Sequence, residues 1–141
     1  MKIAIINGPN LNMLGVREPE LYGVDSLEEL LATLRSEFSR NEIIDFQSND
    51  EGSLIDAVQS LGMSCDAVII NPGGYSHTSV AIRDAITSIK APVIEVHISN
   101  IHSREEFRHT TITGGACIAV ISGLGLRGYS VAVAHFLKIE D

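Results

Sequence analysis

The sequence has little of what several classes of protein require. It has only two cysteines, Cys65 and Cys117, and no CxxC pair, so a disulfide framework or a cysteine-based zinc site has little support and a reducing cytoplasm fits best. Residues 1–6 are too short for a signal-peptide core, and no apolar run approaches the length that spans a membrane. We therefore expect a soluble, cytoplasmic protein.

A basic surface is lacking as well. The net charge is −8, from 10 basic and 18 acidic residues, which argues against binding to nucleic acid or to an acidic membrane. Several arginines nevertheless fall near predicted loops or helix starts and favour a local cationic pocket: Arg17, Arg83, Arg104 and Arg108. With 141 residues, of which 45% are hydrophobic and 20% charged, the chain is predicted to form one globular domain, residues 1–141.

Most familiar catalytic motifs are missing too. The sequence has no P-loop, no GxSxG motif and no lysine at a predicted strand end for a Schiff base. Residues 123–128 match GxGxxG, but too few residues follow for a dinucleotide-binding unit, so glycines for close helix packing are favoured. Glu95 with three histidines could be imagined as metal ligands, yet the spacing matches no familiar pattern, and a metal-free site is favoured. These histidines are His97, His102 and His109.

What the sequence does contain is clearest at residues 67–86, which indicate a strand, a polar loop and a helix. Residues 67–70 are apolar without alternation, as in strands buried in a parallel sheet, and Asn-Pro-Gly-Gly then ends the strand. Thr78 and Ser79 are natural N-caps for a helix whose free N–H groups would point at a ligand over the strand end. Ligands of open α/β sheets bind at such ends. The polar residues expected there are Asn71, Ser76 and His77.

Similar patterns along the chain predict alternating strands and helices. The predicted strands are residues 2–7, 43–47, 67–71, 93–98 and 117–121, and the predicted helices start at 25 or 26 and cover 54–61, 80–89 and 126–137. Such alternation implies an α/β, flavodoxin-like three-layer fold with a five-stranded parallel sheet in the order 2-1-3-4-5. Residues 11–24 show neither helical nor strand periodicity and are interpreted as a loop that closes over the site.

Glu95 and His97 are two residues apart on a predicted strand, so their side chains share one face. His97 can then reach the crevice while Glu95 orients or charges its ring. A buried histidine with a satisfied partner explains this pair equally well. A function is favoured only because the pair lies beside the crevice between strands 1 and 3, where the order of the strands reverses. Ser99 and the amides of Ile98 and Asn100 follow at once and can hold a carboxylate.

Arg17 and Tyr22 lie on the predicted closing loop. A phenol is a weak base because its unperturbed pKa is about 10, and a nearby arginine can make it a general base by stabilising the phenolate. Taken alone, the two residues are better explained as an exposed arginine and a tyrosine that packs the loop down.

Several blocks of sequence follow one another through nearly the whole chain. They are NGPNLNMLG (7–15) with REP (17–19) and YG (22–23), QSN (47–49) with EG (51–52), INPG (70–73) with HTS (77–79), EVHISN (95–100) and REEFRH (104–109). In this order, and in a chain of this length, they resemble the type II 3-dehydroquinate dehydratases. The resemblance implies a trans elimination of water from 3-dehydroquinate, through an enolate, to give 3-dehydroshikimate in aromatic biosynthesis or quinate breakdown. It also implies that no metal or organic cofactor takes part.

The resemblance further implies a role for each matching residue. Tyr22 would be the base that takes the proton alpha to the ketone, with Arg17 stabilising the developing charge and Asn10 holding a water at the enolate oxygen. His97 would protonate the departing hydroxyl, with Glu95 as its orienting partner.

The same resemblance assigns residues to substrate binding. The ring hydroxyls would be held by Asn71, His77 and Arg108, and the carboxylate by Ile98 and Ser99. Asp84 would reach the site of a neighbouring subunit, which implies a homo-oligomer, in the family a dodecamer of trimers.

The chain departs from the family pattern in two places. After residues 107–109 the family continues with a second histidine and a Ser-Tyr pair, whereas this chain has Thr-Thr-Ile-Thr at 110–113, and Gly74 stands where alanine is usual. Neither departure falls on a residue to which we assign chemistry. Two other functions remain open: an isomerase or lyase for another small hydroxy acid on the same scaffold, and a binding or signalling module without chemistry. Such a module would not need a Tyr-Arg loop opposite a Glu-His strand end.

Overall fold

A computed structural model of the chain, which describes residues 1–139, has a five-stranded parallel sheet between two layers of helices. The strands are β1 (Lys2–Asn7), β2 (Glu42–Gln47), β3 (Ala67–Asn71), β4 (Val93–His97) and β5 (Ala119–Ser122). The helices are α1 (Pro19–Tyr22), α2 (Leu27–Glu37), α3 (Glu51–Ser64), α4 (Val80–Thr87) and α5 (Arg127–Ile139). All neighbouring strands are parallel, in the order β2-β1-β3-β4-β5. The predicted fold and strand order are confirmed.

The sheet separates two apolar cores. Ile3, Ile5 and Ile69 point to the face covered by α2 and α5, and Ile6 and Ile70 point to the face covered by α3 and α4. Because β3 lies in the middle of the sheet and is covered on both faces, all of its residues are buried. This explains why its sequence is an unbroken apolar run instead of an alternating one.

The first and third strands end side by side, as the sequence predicts. Asn7 is in register with Asn71, and the amide of Gly8 donates a 2.7 Å hydrogen bond to the Asn71 carbonyl. A Cβ on Gly8 would lie only 2.5 Å from the carbonyl oxygen of Pro72, so this close approach of two turns requires glycine. The two turns therefore share one crevice at the carboxyl edge of the sheet.

Capping residues explain where two helices begin. Ser79 accepts a 2.9 Å hydrogen bond from the Ile82 amide, which confirms Ser79 as the N-cap of α4. In α3 the carboxylate of Asp50 accepts a hydrogen bond from the Ser53 amide, so this helix begins at Glu51, three residues before the predicted start. None of the helices within residues 1–139 is long and apolar enough to cross a membrane.

The fifth strand begins two residues later than predicted. β5 begins at Ala119, because residues 113–116 form a 3-10 turn that Cys117 closes by donating to the Gly114 carbonyl. The other predicted helix and strand ends coincide with those of the structure or differ from them by at most three residues, as the hydrogen bonds of end residues allow.

Residues 11–24 are not an irregular loop, so that part of the prediction was wrong. They hold a 3-10 turn, Leu11–Met13, and the short helix α1. Pro19 takes the first helical position of α1, which suits its fixed φ angle, after Glu18 in a left-handed conformation with φ of 42°. Four helical residues are too few to produce the apolar periodicity by which a helix is recognised in a sequence.

Candidate active site

A cleft opens at the carboxyl ends of β1, β3 and β4 and encloses about 700 Å³, part of it open to solvent. Its lining comes from the turns after these strands, from the segment with Arg17 and Tyr22 and from the loop with Arg104 and Arg108. Nine of the eleven residues with a predicted role line this cleft: Asn10, Arg17, Tyr22, Asn71, His77, His97, Ile98, Ser99 and Arg108.

The cleft is positively charged although the protein is acidic. Three arginines line it, and its lining residues within the described part of the chain include no aspartate or glutamate. The predicted cationic pocket is therefore present, but Arg83 is not part of it, because its guanidinium donates a 2.7 Å hydrogen bond to the Ile112 carbonyl outside the cleft. Such a site favours an anionic ligand, for which arginine offers bidentate hydrogen bonds.

His97 and Glu95 form a buried pair at the end of β4. The Nε2 atom of His97 lies 2.8 Å from Oε2 of Glu95, whose side chain is fully enclosed. A carboxylate at this distance orients the imidazole and stabilises a positive charge on it. Since Nε2 faces Glu95, the other ring nitrogen, Nδ1, is left to exchange a proton with a ligand in the cleft.

The phenol of Tyr22 lies against two arginines. Arg104 Nη1 donates a 2.9 Å hydrogen bond to the Tyr22 hydroxyl, and Arg17 Cζ lies 4.9 Å from the centre of the ring. Two cations this close stabilise negative charge on the phenolic oxygen. Arg104 Nη1 also lies 3.3 Å from the Ser99 hydroxyl, so it connects the phenol to the loop that follows β4.

The floor of the cleft is held by a buried polar network. Asn71 Nδ2 donates to the Tyr129 hydroxyl at 3.0 Å, and that hydroxyl donates to Asn7 Oδ1 at 2.6 Å. Burial raises the pKa of Tyr129 well above the usual range of a phenol, although the hydrogen bond from Asn71 opposes the shift. Tyr129 therefore remains a neutral donor from α5, and it fixes the side chain of Asn71 at the strand end.

Asn10 lines the mouth of the cleft from the turn that follows β1. It has a left-handed backbone with φ of 71°, a conformation that asparagine tolerates better than most residues. The side chain of Asn49 accepts hydrogen bonds from the Asn10 amide at 3.0 Å and from Gln47 at 3.1 Å. The QSN block that carries part of the resemblance therefore fixes the turn on which Asn10 stands.

His77 and Arg108 approach the cleft from neighbouring turns. His77 Nδ1 lies 2.9 Å from the Thr110 carbonyl, and its ring is stacked on that of His97 with 6.1 Å between centroids. Arg108 donates a 2.7 Å hydrogen bond to Glu105, and this bond lowers the pKa of the Glu105 carboxyl. Both side chains are thus oriented by protein groups before any ligand enters.

The family model described as dehydroquinase class II matches residues 1–137. The 3-dehydroquinate dehydratase of Lachnoclostridium phytofermentans is 52% identical, over 99% of both chains, and that of Carboxydothermus hydrogenoformans is 48% identical, over 100% of this chain and 95% of its own. The chain belongs to the class II dehydroquinase family. The crystal structure of the type II dehydroquinase of Butyrivibrio crossotus has the same fold, with a TM-score of 0.92, 45% identity and 96% coverage of both chains.

Within this family fold, two residues with predicted roles lie outside the cleft lining. Glu95 contacts His97 from outside the cleft, and Asp84 is exposed on α4 and does not line the cleft of its own chain. The expectation for Ser76 was wrong, because its side chain is fully buried and does not face the cleft. The N-terminus of α4 does not line the cleft either, since the 3-10 turn Gly73–His77 separates it from the strand end.

Arg104 is the functional candidate to which the sequence analysis gave no role. It was counted in the cationic pocket and in the REEFRH block, but 82 residues separate it from Tyr22, and only the fold brings them together. The metal hypothesis gains no support: no three histidine, cysteine, aspartate or glutamate side chains of residues 1–139 are grouped closely enough to hold an ion.

Proposed function

We propose that the cleft is the active site in which 3-dehydroquinate loses water to give 3-dehydroshikimate, by trans elimination through an enolate. Family membership and the names of the relatives support this hydro-lyase reaction of the shikimate pathway. The observation that carries the assignment to this cleft is the placement of Tyr22, held by two arginines, and of His97, held by Glu95, around one cationic space. An elimination needs a base that removes a proton and an acid that protonates the leaving group.

In the proposed first step Tyr22 removes the proton alpha to the ketone. Its hydroxyl lies 2.9 Å from Arg104 Nη1, so the oxygen is held as a hydrogen-bond acceptor for a cation. Arg17 and Arg104 then stabilise the phenolate before the transfer and the enolate after it. Asn10, at the mouth of the cleft, is assigned to hold a water at the enolate oxygen.

In the second step His97 protonates the departing hydroxyl. Its Nδ1 atom delivers the proton while Nε2 stays hydrogen-bonded to Glu95, which stabilises the imidazolium. Neither step uses a metal or an organic cofactor.

The remaining lining residues are assigned to substrate binding. Asn71, His77 and Arg108 hold the ring hydroxyls, and Ile98 and Ser99 receive the carboxylate. The prior hydrogen bonds of Asn71 to Tyr129 and of His77 to Thr110 support these assignments, because oriented polar groups lose little freedom when a ligand binds.

Asp84 is assigned to the active site of a neighbouring subunit in a homododecamer. It is exposed and lies outside the cleft of its own chain, so only another copy can use it there. Light scattering of the purified protein should give a mass far above the 15.2 kDa of one chain. A monomer that is fully active at high dilution would contradict this assignment.

The free state of both cysteines is consistent with the proposed location in the cytoplasm.

The function is tested by incubating the purified protein with 3-dehydroquinate and following the absorbance of the conjugated enone product. We expect turnover that survives EDTA and that borohydride does not abolish in the presence of substrate, because the assigned residues include no metal ligand set and no lysine. Absence of product from folded protein would refute the function. Inactivation by EDTA, or by borohydride only when substrate is present, would refute the mechanism.

A further inference from the structure

A short segment behind the cleft, residues 110–113, contacts the Glu95 carboxylate of the buried Glu95–His97 pair, although none of its residues lines the cleft. The Thr111 hydroxyl donates to Glu95 Oε2 at 2.6 Å, and the Thr113 hydroxyl donates to Glu95 Oε1. Oε2 is also the atom bonded by His97 Nε2. Both carboxylate oxygens are therefore occupied: Oε2 by the Thr111 hydroxyl and the imidazole, and Oε1 by the Thr113 hydroxyl.

These contacts matter because Glu95 has no access to water. A buried carboxylate requires hydrogen-bond donors in place of its lost hydration, and bonds to an ionised acceptor are stronger than neutral ones. The three donors also fix the orientation of the carboxylate plane, because turning it about the Cγ–Cδ bond would break all three hydrogen bonds. The threonine hydroxyls thus determine where Oε2 lies, and Oε2 determines how the ring of His97 is turned.

The direction of the Thr111 hydroxyl is itself fixed. It accepts a 3.0 Å hydrogen bond from the Gly114 amide, so its single proton is free to point toward an acceptor. The candidates are Glu95 Oε2 at 2.6 Å, the Thr113 hydroxyl at 3.3 Å and the Ser76 carbonyl at 3.4 Å, and the nearest, charged oxygen is the strongest acceptor. A Cβ on Gly114 would lie 2.6 Å from Thr111 Cγ2 and 3.1 Å from Glu95 Oε2, so this packing leaves no space for a larger residue.

The segment is also anchored through its backbone. The Ile112 amide donates to the Ser76 carbonyl at 2.7 Å, and the Ile112 carbonyl accepts from Arg83 Nη1, also at 2.7 Å. Thr113 is completely buried, so its hydroxyl has no solvent partner to compete with Glu95. The two threonines therefore belong to a fixed support and not to a mobile surface loop.

We propose that Thr111 and Thr113 are positioning residues for the acid step: their hydroxyls hold the Glu95 carboxylate so that His97 presents Nδ1 to the departing hydroxyl. The inference rests on the proposed roles of His97 and Glu95. Neither threonine touches the substrate, so both act on kcat through the histidine and leave ground-state binding unchanged.

The test replaces each hydroxyl by a methyl group of similar size. Thr113→Val and Thr111→Val should each lower kcat by about 10- to 100-fold, the range for a lost hydrogen bond to a charged group, with KM changed less than about 3-fold. Thr113→Ser and Thr111→Ser restore the hydroxyl and should recover most of the activity. Thr33→Val, at an exposed position of α2, is the matched control and should leave kcat unchanged.

A double-mutant cycle separates an effect through Glu95 from a general loss of structure. In the Glu95→Gln enzyme, Thr113→Val should cause less than about a 3-fold further loss, because both changes disrupt the same contact. Full additivity, a serine variant no better than valine, or an effect on KM alone would overturn the proposal. If Thr113→Val does not fold by circular dichroism, the half-buried Thr111 gives the same test.

The wild-type assay distinguishes this inference from the proposed function. An inactive wild-type protein would refute the function itself. An active wild-type enzyme whose folded Thr111→Val and Thr113→Val variants keep full kcat would refute only the role of the threonines.

Discussion

The two halves of the cleft are built differently. The strand-end half holds His97, Glu95 and Asn71 at the ends of β3 and β4, and all three are buried and hydrogen-bonded to other buried groups. The loop half holds Arg17, Tyr22 and Arg104, which are half-buried.

The loop half also has fewer protein contacts. Its segment places Val16, Leu21 and Val24 in solvent, and the Tyr22 hydroxyl has one side-chain hydrogen bond, from Arg104. Local stability follows the number of buried contacts, so the loop half should open more easily than the strand-end half. The proposed acid, His97, is therefore oriented by the folded core, whereas the proposed base, Tyr22, depends mainly on the charges of two arginines. A substitution in the loop half should change catalysis with little loss of stability, and one beneath the strand ends should change both.

The largest effect is expected for Tyr22→Phe. Removing the hydroxyl removes the proposed base, and general base catalysis is worth about 10²–10⁴-fold in rate, so kcat should fall by at least that factor. The aromatic ring remains for Arg17 and Arg104 to stack on, so substrate binding and thermal stability should barely change. Steady-state kinetics and thermal unfolding measure both. A variant that keeps more than about a tenth of wild-type kcat would show that Tyr22 is not the base.

A smaller but still severe loss is expected for Arg104→Lys and Arg17→Lys. A compact ammonium cannot reproduce the planar guanidinium that meets both the phenol and the developing enolate, so kcat should fall by about 10- to 100-fold. Arg104 donates directly to the Tyr22 hydroxyl, so its substitution should cost at least as much as that of Arg17. Arg40→Lys, at an exposed position, serves as the control. Wild-type kcat in Arg104→Lys would exclude this hydrogen bond from catalysis.

Tyr129→Phe tests the strand-end half. The variant leaves Asn7 Oδ1 and Asn71 Nδ2 without their buried partner, which should lower the free energy of unfolding by about 1–3 kcal/mol. It should also lower kcat/KM, because Asn71 loses its fixed orientation. Tyr75→Phe is the matched control, since its hydroxyl bonds the Asn49 carbonyl at an exposed position, and a change below about 0.5 kcal/mol is expected. Equal urea-unfolding midpoints for both variants, at one protein concentration, would contradict the contribution of the buried network to the stability of the strand-end half.

The difference between the two halves also explains which parts of the site the sequence could predict. Local patterns predict the strand-end half: an apolar run that stops at Asn71 marks a strand end, and the spacing of Glu95 and His97 places them on one face. The sheet order follows from alternating strands and helices. The matching sequence blocks indicated most of the cleft lining, because residues that serve one reaction keep their order along the chain.

The parts that the sequence could not predict depend on contacts between distant segments. Arg104 reaches Tyr22, and Thr111 and Thr113 reach Glu95, only because the chain folds back on itself, and no periodicity records such contacts. Helix α1 is too short to show a period. Ser76 was misplaced because a 3-10 turn, which has no distinctive apolar pattern, rotates its side chain into the core.

The smallest effect concerns Cys117, a thiol behind the strand-end half. Burial, and secondarily the negative charge of Glu95, raises the pKa of Cys117 to about 12 from 9.0. The thiolate is the reactive form, and a rise of about three units lowers its fraction about 10³-fold at pH 8, so iodoacetamide should modify native Cys117 far more slowly than the urea-unfolded chain. Because the unfolded thiol loses its proton at a lower pH than the folded one, stability should be unaffected below pH 9 and should decrease as the pH rises from 9 toward 12.

Timed alkylation read by mass spectrometry measures how fast iodoacetamide modifies Cys117, and Glu95→Gln should speed the labelling modestly by removing the nearby charge. Native labelling as fast as that of the unfolded chain would show that water reaches the region behind Glu95 and that the strand-end half is no more enclosed than the loop half.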